Sequence, residues 1–346
     1  MFSNCEKIIS ELIFNISSSL NSFGLVPEVI FPDSQELRAN ASPRLLCQTR
    51  GIIFLLKSYE YFNDEKLLKL AIRLYEAVKN KSEYSSYFDK EHNITELSKL
   101  SAYELSFLLY SQSILYLHSD AMPKKELNND IRNSLKLIED ITLSGLLFRP
   151  INLKVGIEQN SAMHIFESLT QCAKTKIINE SYALKYYKTI MHKFLNPKNN
   201  IIAEYANEDG SFECYQLGHN FEWVSLLLNL EKSSGAHEIA QSLYRASLSL
   251  VKRNEHGIII NEYDDSFLPI NQKQRIWPSL EYIRASILVG EFERSLSYYN
   301  VMERRFFTRS SHYREYEDDV KLQCKTTTGY HIIEMASVLR KARPKL

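Results

Sequence analysis

Between Gln216 and Trp223, in QLGHNFEW, an imidazole and a carboxylate stand three residues apart, His219 and Glu222. Gly218 follows a polar run, Asn207 to Ser211, and Val224 to Leu230 continues as an apolar helical segment. The pair therefore falls in a first helical turn and shares a face. Free N–H groups at a helix start disfavour a protonated imidazole, which leaves such a ring able to take or give a proton. A carboxylate one turn on can orient the ring or hold a substrate hydroxyl. Similar groups recur: Arg50 in CQTRGIIF, Tyr103 in SAYELSF, Asn160 and His164 in QNSAMHIFESL, Trp277 and Glu281 in RIWPSLEYIRA, and His331 in TTTGYHIIEM. Each also has a plain packing explanation. Arg50 could pair with a carboxylate, Tyr103 and Trp277 could be core aromatics, Asn160 an N-cap, His164 a satisfied core histidine and Glu281 a solvated first-turn acid.

Apolar spacing near 3.6 residues, with cap and breaker residues marking the ends, predicts twelve helices. Their expected spans are 4–22, 42–61, 63–79, 97–118, 124–142, 159–175, 179–195, 218–233, 236–253, 277–289, 291–306 and 327–341. Ser42 with Pro43 is expected to open the second, Pro278 stands at the front of the tenth, and Thr326 to Thr328 lead into the twelfth. Links after even-numbered helices are short and links after odd-numbered ones are long and rich in turn residues. That alternation predicts six helical hairpins with the long links on one side. Ile202 to Tyr205, Ile260 to Tyr263 and Tyr313 to Tyr316 repeat a β-prone pair followed by Glu and Tyr, which predicts short β-hairpins in those links. Six hairpins can close as an all-α (α/α)6 barrel or curve as an open solenoid, and the absence of a linker predicts one domain over 1–346. The residues singled out above all lie on even-numbered helices, mostly near their starts. An inner ring of even helices would bring them to one pocket mouth.

Balanced charge, 42 basic against 42 acidic residues, argues against nucleic acid and anionic membrane as partners. No apolar run approaches membrane-spanning length and the N-terminus has no leader pattern, so a cytoplasmic protein, monomer or homodimer, is expected. Five scattered cysteines without CxxC spacing indicate neither a disulfide framework nor a zinc site. No nucleotide, flavin or nicotinamide fingerprint is present, so neither cofactor nor metal is expected.

Four segments resemble the N-acylglucosamine 2-epimerase family of sugar 2-epimerases and aldose–ketose isomerases, which includes mannose isomerases and cellobiose 2-epimerases. QNSAMHIFESL resembles the family's QNPHMHLFEA, LGHNFEWVSLL its PGHxFEWxxLL, RIWPSLEYIRA its RLWPQTEYLKA, and GYHIIEM its FYHIV segment. The resemblance runs in order over nearly the whole chain and implies the (α/α)6 barrel. It further implies that His219 and His331 are the acid/base residues at C1 and C2 of a mannose-, glucose- or N-acylhexosamine-type sugar. Glu222 and Glu281 would bind hydroxyls and tune the histidines, Arg50 would hold the carbonyl or ring oxygen, Asn160 and His164 would assist binding and ring opening, and Trp277 would be the stacking surface. Tyr103 joins the substrate-binding set. Ser161, Ala162, Leu217, Gly329 and Leu105 depart from the family pattern, which bears on the substrate rather than on the proton-transfer residues. Two other readings remain: a glycoside hydrolase using Glu222 and Glu281, and a non-catalytic helical-repeat module, which would lack converging ionisable groups.

Overall fold

The computed structural model describes residues 3–32, 44–81, 84, 88, 101–118, 122–150, 156–207, 209–230, 235–271, 273–319 and 322–342. Among them are twelve α-helices: α1 (Ser3–Phe23), α2 (Leu45–Phe62), α3 (Glu65–Lys79), α4 (Ala102–His118), α5 (Lys124–Leu143), α6 (Asn160–Ala173), α7 (Glu180–Phe194), α8 (Leu217–Leu228), α9 (Ala236–Leu250), α10 (Ile276–Leu288), α11 (Phe292–Phe306) and α12 (Gly329–Ala342). The expected helix start at Ser42 and Pro43, residues 97–100 and residues 231–233 lie outside the described residues. Two ends come earlier than expected. Asn229 caps α8, and α9 stops at Leu250, where Val251 leaves the helical region with φ −59° and ψ 112°.

Even and odd helices differ because their sequences do. From Leu217 to Leu227 every residue of α8 is buried, and from Ile276 to Ile287 every residue of α10. A helix apolar on all sides belongs inside a fold. In α9 only Ala236, Ala240, Leu243, Tyr244 and Ser247 are buried, a single stripe at helical spacing. The short links reverse the chain through left-handed residues: Asn63 (φ 56°) caps α2, with Asp64 capping α3 beside it, and Gly290 (φ 94°) follows α10.

The chain divides into two compact units. One comprises Met1–Asn15, Val29–Ala39 and Phe194–Leu346, the other Ile16–Glu28 and Asn40–Lys193. In the second, α4 packs between α2 and α6, with α3 against α2 and α5 against α4. In the first, α10 packs between α8 and α12, with α9 against α8 and α11 against α10.

Strands are few and two residues long: β1 (Val29–Ile30), β2 (Ile157–Glu158), β3 (Leu195–Asn196), β4 (Ile201–Ile202), β5 (Tyr205–Ala206), β6 (Phe212–Glu213), β7 (Tyr215–Gln216), β8 (Glu262–Tyr263) and β9 (Cys324–Lys325). The long link before α8 holds two hairpins, β3 with β4 and β5 with β6, as its β-prone pairs predicted. β7 pairs antiparallel with β8, Tyr215 opposite Tyr263, and β1 with β9. Among the described residues no helix is long and apolar enough to cross a membrane.

Candidate active site

The start of α8 is held by the chain around it. The backbone N–H groups of Leu217 and Gly218 donate to the carbonyl and side-chain oxygens of Asn261, at 2.9 and 2.8 Å. Asn261, just before β8, thus caps the helix from another link. Asn220 works in the opposite direction. Its side chain accepts from the Ile202 N–H at 2.9 Å and donates to the Ile202 and Gln216 carbonyls at 3.0 and 2.9 Å. The two bonds to Ile202, worth about 1 kcal/mol each, fix the β4 segment against α8. Two residues beyond Ile202 stands Glu204, whose Oε2 lies 2.7 Å from His219 Nδ1. The carboxylate that orients His219 is therefore Glu204 and not Glu222, one helical turn away.

The first turns of α10 and α12 supply the rest. Trp277, the second residue of α10, lies between two imidazoles, its ring 4.9 Å from that of His219 and 5.6 Å from that of His331, tilted about equally to both at 36° and 34°. One turn on, Glu281 places Oε1 2.8 Å from His331 Nδ1. An ionised carboxylate can only accept, so in both pairs Nδ1 carries the hydrogen and Nε2 of the neutral ring is the basic nitrogen. Glu222 sits near Glu281 and His331, their ligand-type atoms all within 4.8 Å of one another, and all three residues are buried. That spacing would suit a cation or a pair of sugar hydroxyls. Arg284, 3.2 Å from Glu281 Oε2, offsets the charge at the Glu281 end. Behind these residues Arg275 pairs with Glu315, and Glu315 accepts from Thr328 in the turn before α12, joining the starts of α10 and α12. Burial pushes the Tyr298 phenol up to about 12, keeping it a neutral brace between the Ile259 N–H and Ser279 on α10.

Gly218 is required by contact, not by its backbone angles. A Cβ there would fall 2.6 Å from the Trp277 ring and 2.9 Å from Asn261 Oδ1. The Trp277 ring is itself close to the His219 and His331 rings, so it can yield only by disturbing them. Gly218→Ala is expected to destabilise the protein by about 1–3 kcal/mol. Its kcat/KM should fall far more than that of a surface control such as Ser249→Ala, an exposed position on α9. A thermal melt and one kinetic series check both.

In the second unit Arg50, Tyr103 and His164 come together from α2, α4 and α6. Arg50 Nη2 donates to the Tyr103 hydroxyl at 2.8 Å, and its guanidinium lies 4.2 Å from the Phe107 ring centroid. The His164 ring meets Tyr103 at 5.2 Å and Phe107 at 4.7 Å, and its Nδ1 lies 3.0 Å from Glu167 Oε2. Asn160, the first residue of α6, has a buried side-chain oxygen that accepts no hydrogen bond. It does not cap its own helix; Gln159 holds the N-cap position.

Sequence reasoning missed the roles of Glu204, Arg284, Glu334, Glu167 and Phe107. For Glu204 a signal existed: it is the Glu of the repeated β-prone pair, Glu, Tyr pattern, as is Glu315. Glu167 and Arg284 also had a local sign, standing three residues after His164 and Glu281 on the same helices, whereas Glu334 and Phe107 meet Arg284 and Arg50 only across helices.

The fold is a mostly helical (α/α)6 architecture that brings together two imidazoles, buried carboxylates and one indole. Residues 45–319 match the N-acylglucosamine 2-epimerase (GlcNAc 2-epimerase) family, and the chain belongs to that family of enzymes. Among solved structures it resembles a D-mannose isomerase, with a TM-score of 0.77, 15% identity and 97% of each chain covered. A cellobiose 2-epimerase from Bacillus thermoamylovorans B4167 gives a TM-score of 0.73 at 12% identity, covering 98% of this chain and 100% of that one. An unsaturated glucuronyl hydrolase specific for heparin also matches, with a TM-score of 0.64 at 15% identity over 100% and 98% of the two chains. At these identities the shared property is the fold, so chemistry has to be argued from side chains. No curated protein sequence matches the chain.

Proposed function

We propose that the protein moves a proton between C1 and C2, or between the two faces of C2, of an uncharged aldose through an enediolate. The observation that carries this reading is the pair of imidazoles flanking Trp277, each with Nδ1 tied to a buried carboxylate. Once the sugar ring opens, the C2–H beside the carbonyl is acidic. One Nε2 takes that proton, and the electron pair moves into a C1–C2 double bond, leaving negative charge on O1. Return of a proton to C1, with the O2 proton passing to O1, gives the ketose. Delivery to the opposite face of C2 by the second imidazole gives the epimer. Trp277 would be the apolar face on which the sugar lies, with Glu222 and Glu281 accepting from hydroxyls. Arg50, Tyr103, Asn160 and His164 are proposed as further sugar-binding residues, a role suited to the open acceptor of Asn160 and the cation of Arg50.

The charge around the two imidazoles favours a neutral sugar. Glu204, Glu222, Glu281 and Glu334 are buried there with one buried cation, Arg284. A phosphate or uronate brought among four carboxylates meets like charge in a poorly screened interior. The hydrolase reading is less well supported. Glu281 is engaged at both oxygens, by His331 and Arg284, and is no free acid. The converging ionisable groups also run against a non-catalytic repeat module.

The test is a product screen by NMR in deuterated buffer with mannose, glucose, N-acetylmannosamine and their 6-phosphates. The expected result is turnover of an uncharged sugar, with deuterium at C1 of a ketose or at C2 of an epimer. Product without deuterium would exclude proton transfer through solvent-exchanging bases.

A further inference from the structure

We infer that Arg284 is the positioning residue that sets the proton affinity of His331, acting through Glu281. The inference rests on the proposed role of His331 as a proton carrier. Arg284 is 2% exposed, and among the described residues of its unit it is the one buried Arg or Lys. Its Nη1 donates to Glu281 Oε2 at 3.2 Å, and its Nη2 lies 3.3 Å from Glu334 Oε2. The other oxygen of Glu281 takes the Nδ1 hydrogen of His331 at 2.8 Å. The result is a line of charge contacts, Glu334 to Arg284 to Glu281 to His331. It starts and ends on α12 and passes through α10, so it closes only when the two helices pack.

The charged groups facing His331 are Glu222 from α8, Glu281 and Arg284 from α10, and Glu334 from its own helix. Behind its first turn lies Glu315, paired with Arg275 and bonded to Thr328. Carboxylates outnumber cations, an excess that favours the protonated imidazole. The guanidinium offsets it. Arg284 holds Glu281 with one oxygen aimed at Nδ1 and opposes the gain of a second proton by the ring. Glu334 moderates that effect from the far side.

Opposite signs at the two ends make the test. Arg284→Gln is expected to move the His331 limb of the kcat/KM pH profile up by about one unit, and Glu334→Gln to move it down. Arg284→Lys, which keeps the charge, should return the limb close to that of the unsubstituted protein. A purely structural Arg284 would lower activity at every pH and leave the limb in place, and that result overturns the proposal. Should Arg284→Gln fail to fold, Glu334→Gln and Arg284→Lys still decide: a limb unmoved by Glu334→Gln, or lost in Arg284→Lys, overturns it. NMR titration of the His331 imidazole in the sugar-free full chain reads the same shifts without turnover. Shifts of the expected sign in a protein that converts no sugar would uphold the relay and sink the proposed function. Turnover with unmoved titrations would do the reverse.

Discussion

Alanine at either His219 or His331 is expected to lower kcat/KM about 10²- to 10⁴-fold, the range over which a positioned acid or base contributes. Each ring is buried, and each donates to a buried carboxylate that loses this donor when the ring is removed. Glutamine in place of histidine keeps a donor for that carboxylate and separates loss of chemistry from loss of stability. The two variants should also differ from each other. If the bases serve opposite faces of C2, one variant will still exchange the C2 proton with deuterated solvent while failing to invert the centre. If both serve one transfer between C1 and C2, exchange and turnover will fall together. The measurement is NMR of product and recovered substrate in deuterated buffer. Normal turnover with unlabelled product in either variant would remove both histidines from the chemistry.

Glu204→Gln is the second large effect, and it concerns a residue outside any helix. An amide can still accept from Nδ1 of His219, so the ring keeps its orientation, but the negative charge that stabilises the imidazolium as it forms is gone. The expected loss is about 10²- to 10³-fold in kcat with KM little changed, because the interaction is made with the transition state and not with bound sugar. Glu222→Gln provides the contrast. Glu222 shares a helix face with His219, yet the His219 ring bonds to Glu204, and Glu222 lies with Glu281 and His331. Its substitution should raise KM more than it lowers kcat. Equal kinetic effects for the two variants would mean that the carboxylate at 2.7 Å has no special part in proton transfer.

The helical content, the hairpin pairing and the helix positions of the ionisable groups were legible because they depend on local patterns. The uncharged run SFLLYSQSILYL lies in α4, which is buried on nearly every side, whereas the striped KKELNNDIRNSLKLIED lies in α5, which buries one face. The histidines stood out because polar groups on helices that are otherwise buried need a reason to be there. What misled was proximity along one helix. His219 and Glu222 share a face at i,i+3, and nothing local ranks that partner below a glutamate fifteen residues upstream.

The sequence alone therefore determined which elements form and which of them carry ionisable groups at their starts, since helix periodicity and capping are set by residues within a turn or two. Only the tertiary structure decided which carboxylate holds which imidazole. Asn220 bonds both backbone groups of Ile202 and brings Glu204 to His219, and the packing of α10 on α12 brings Glu281 to His331 and Arg284 to Glu334. Those pairings depend on angles and distances between separate helices, fixed by the packing of many side chains at once, and no short stretch of the chain contains them.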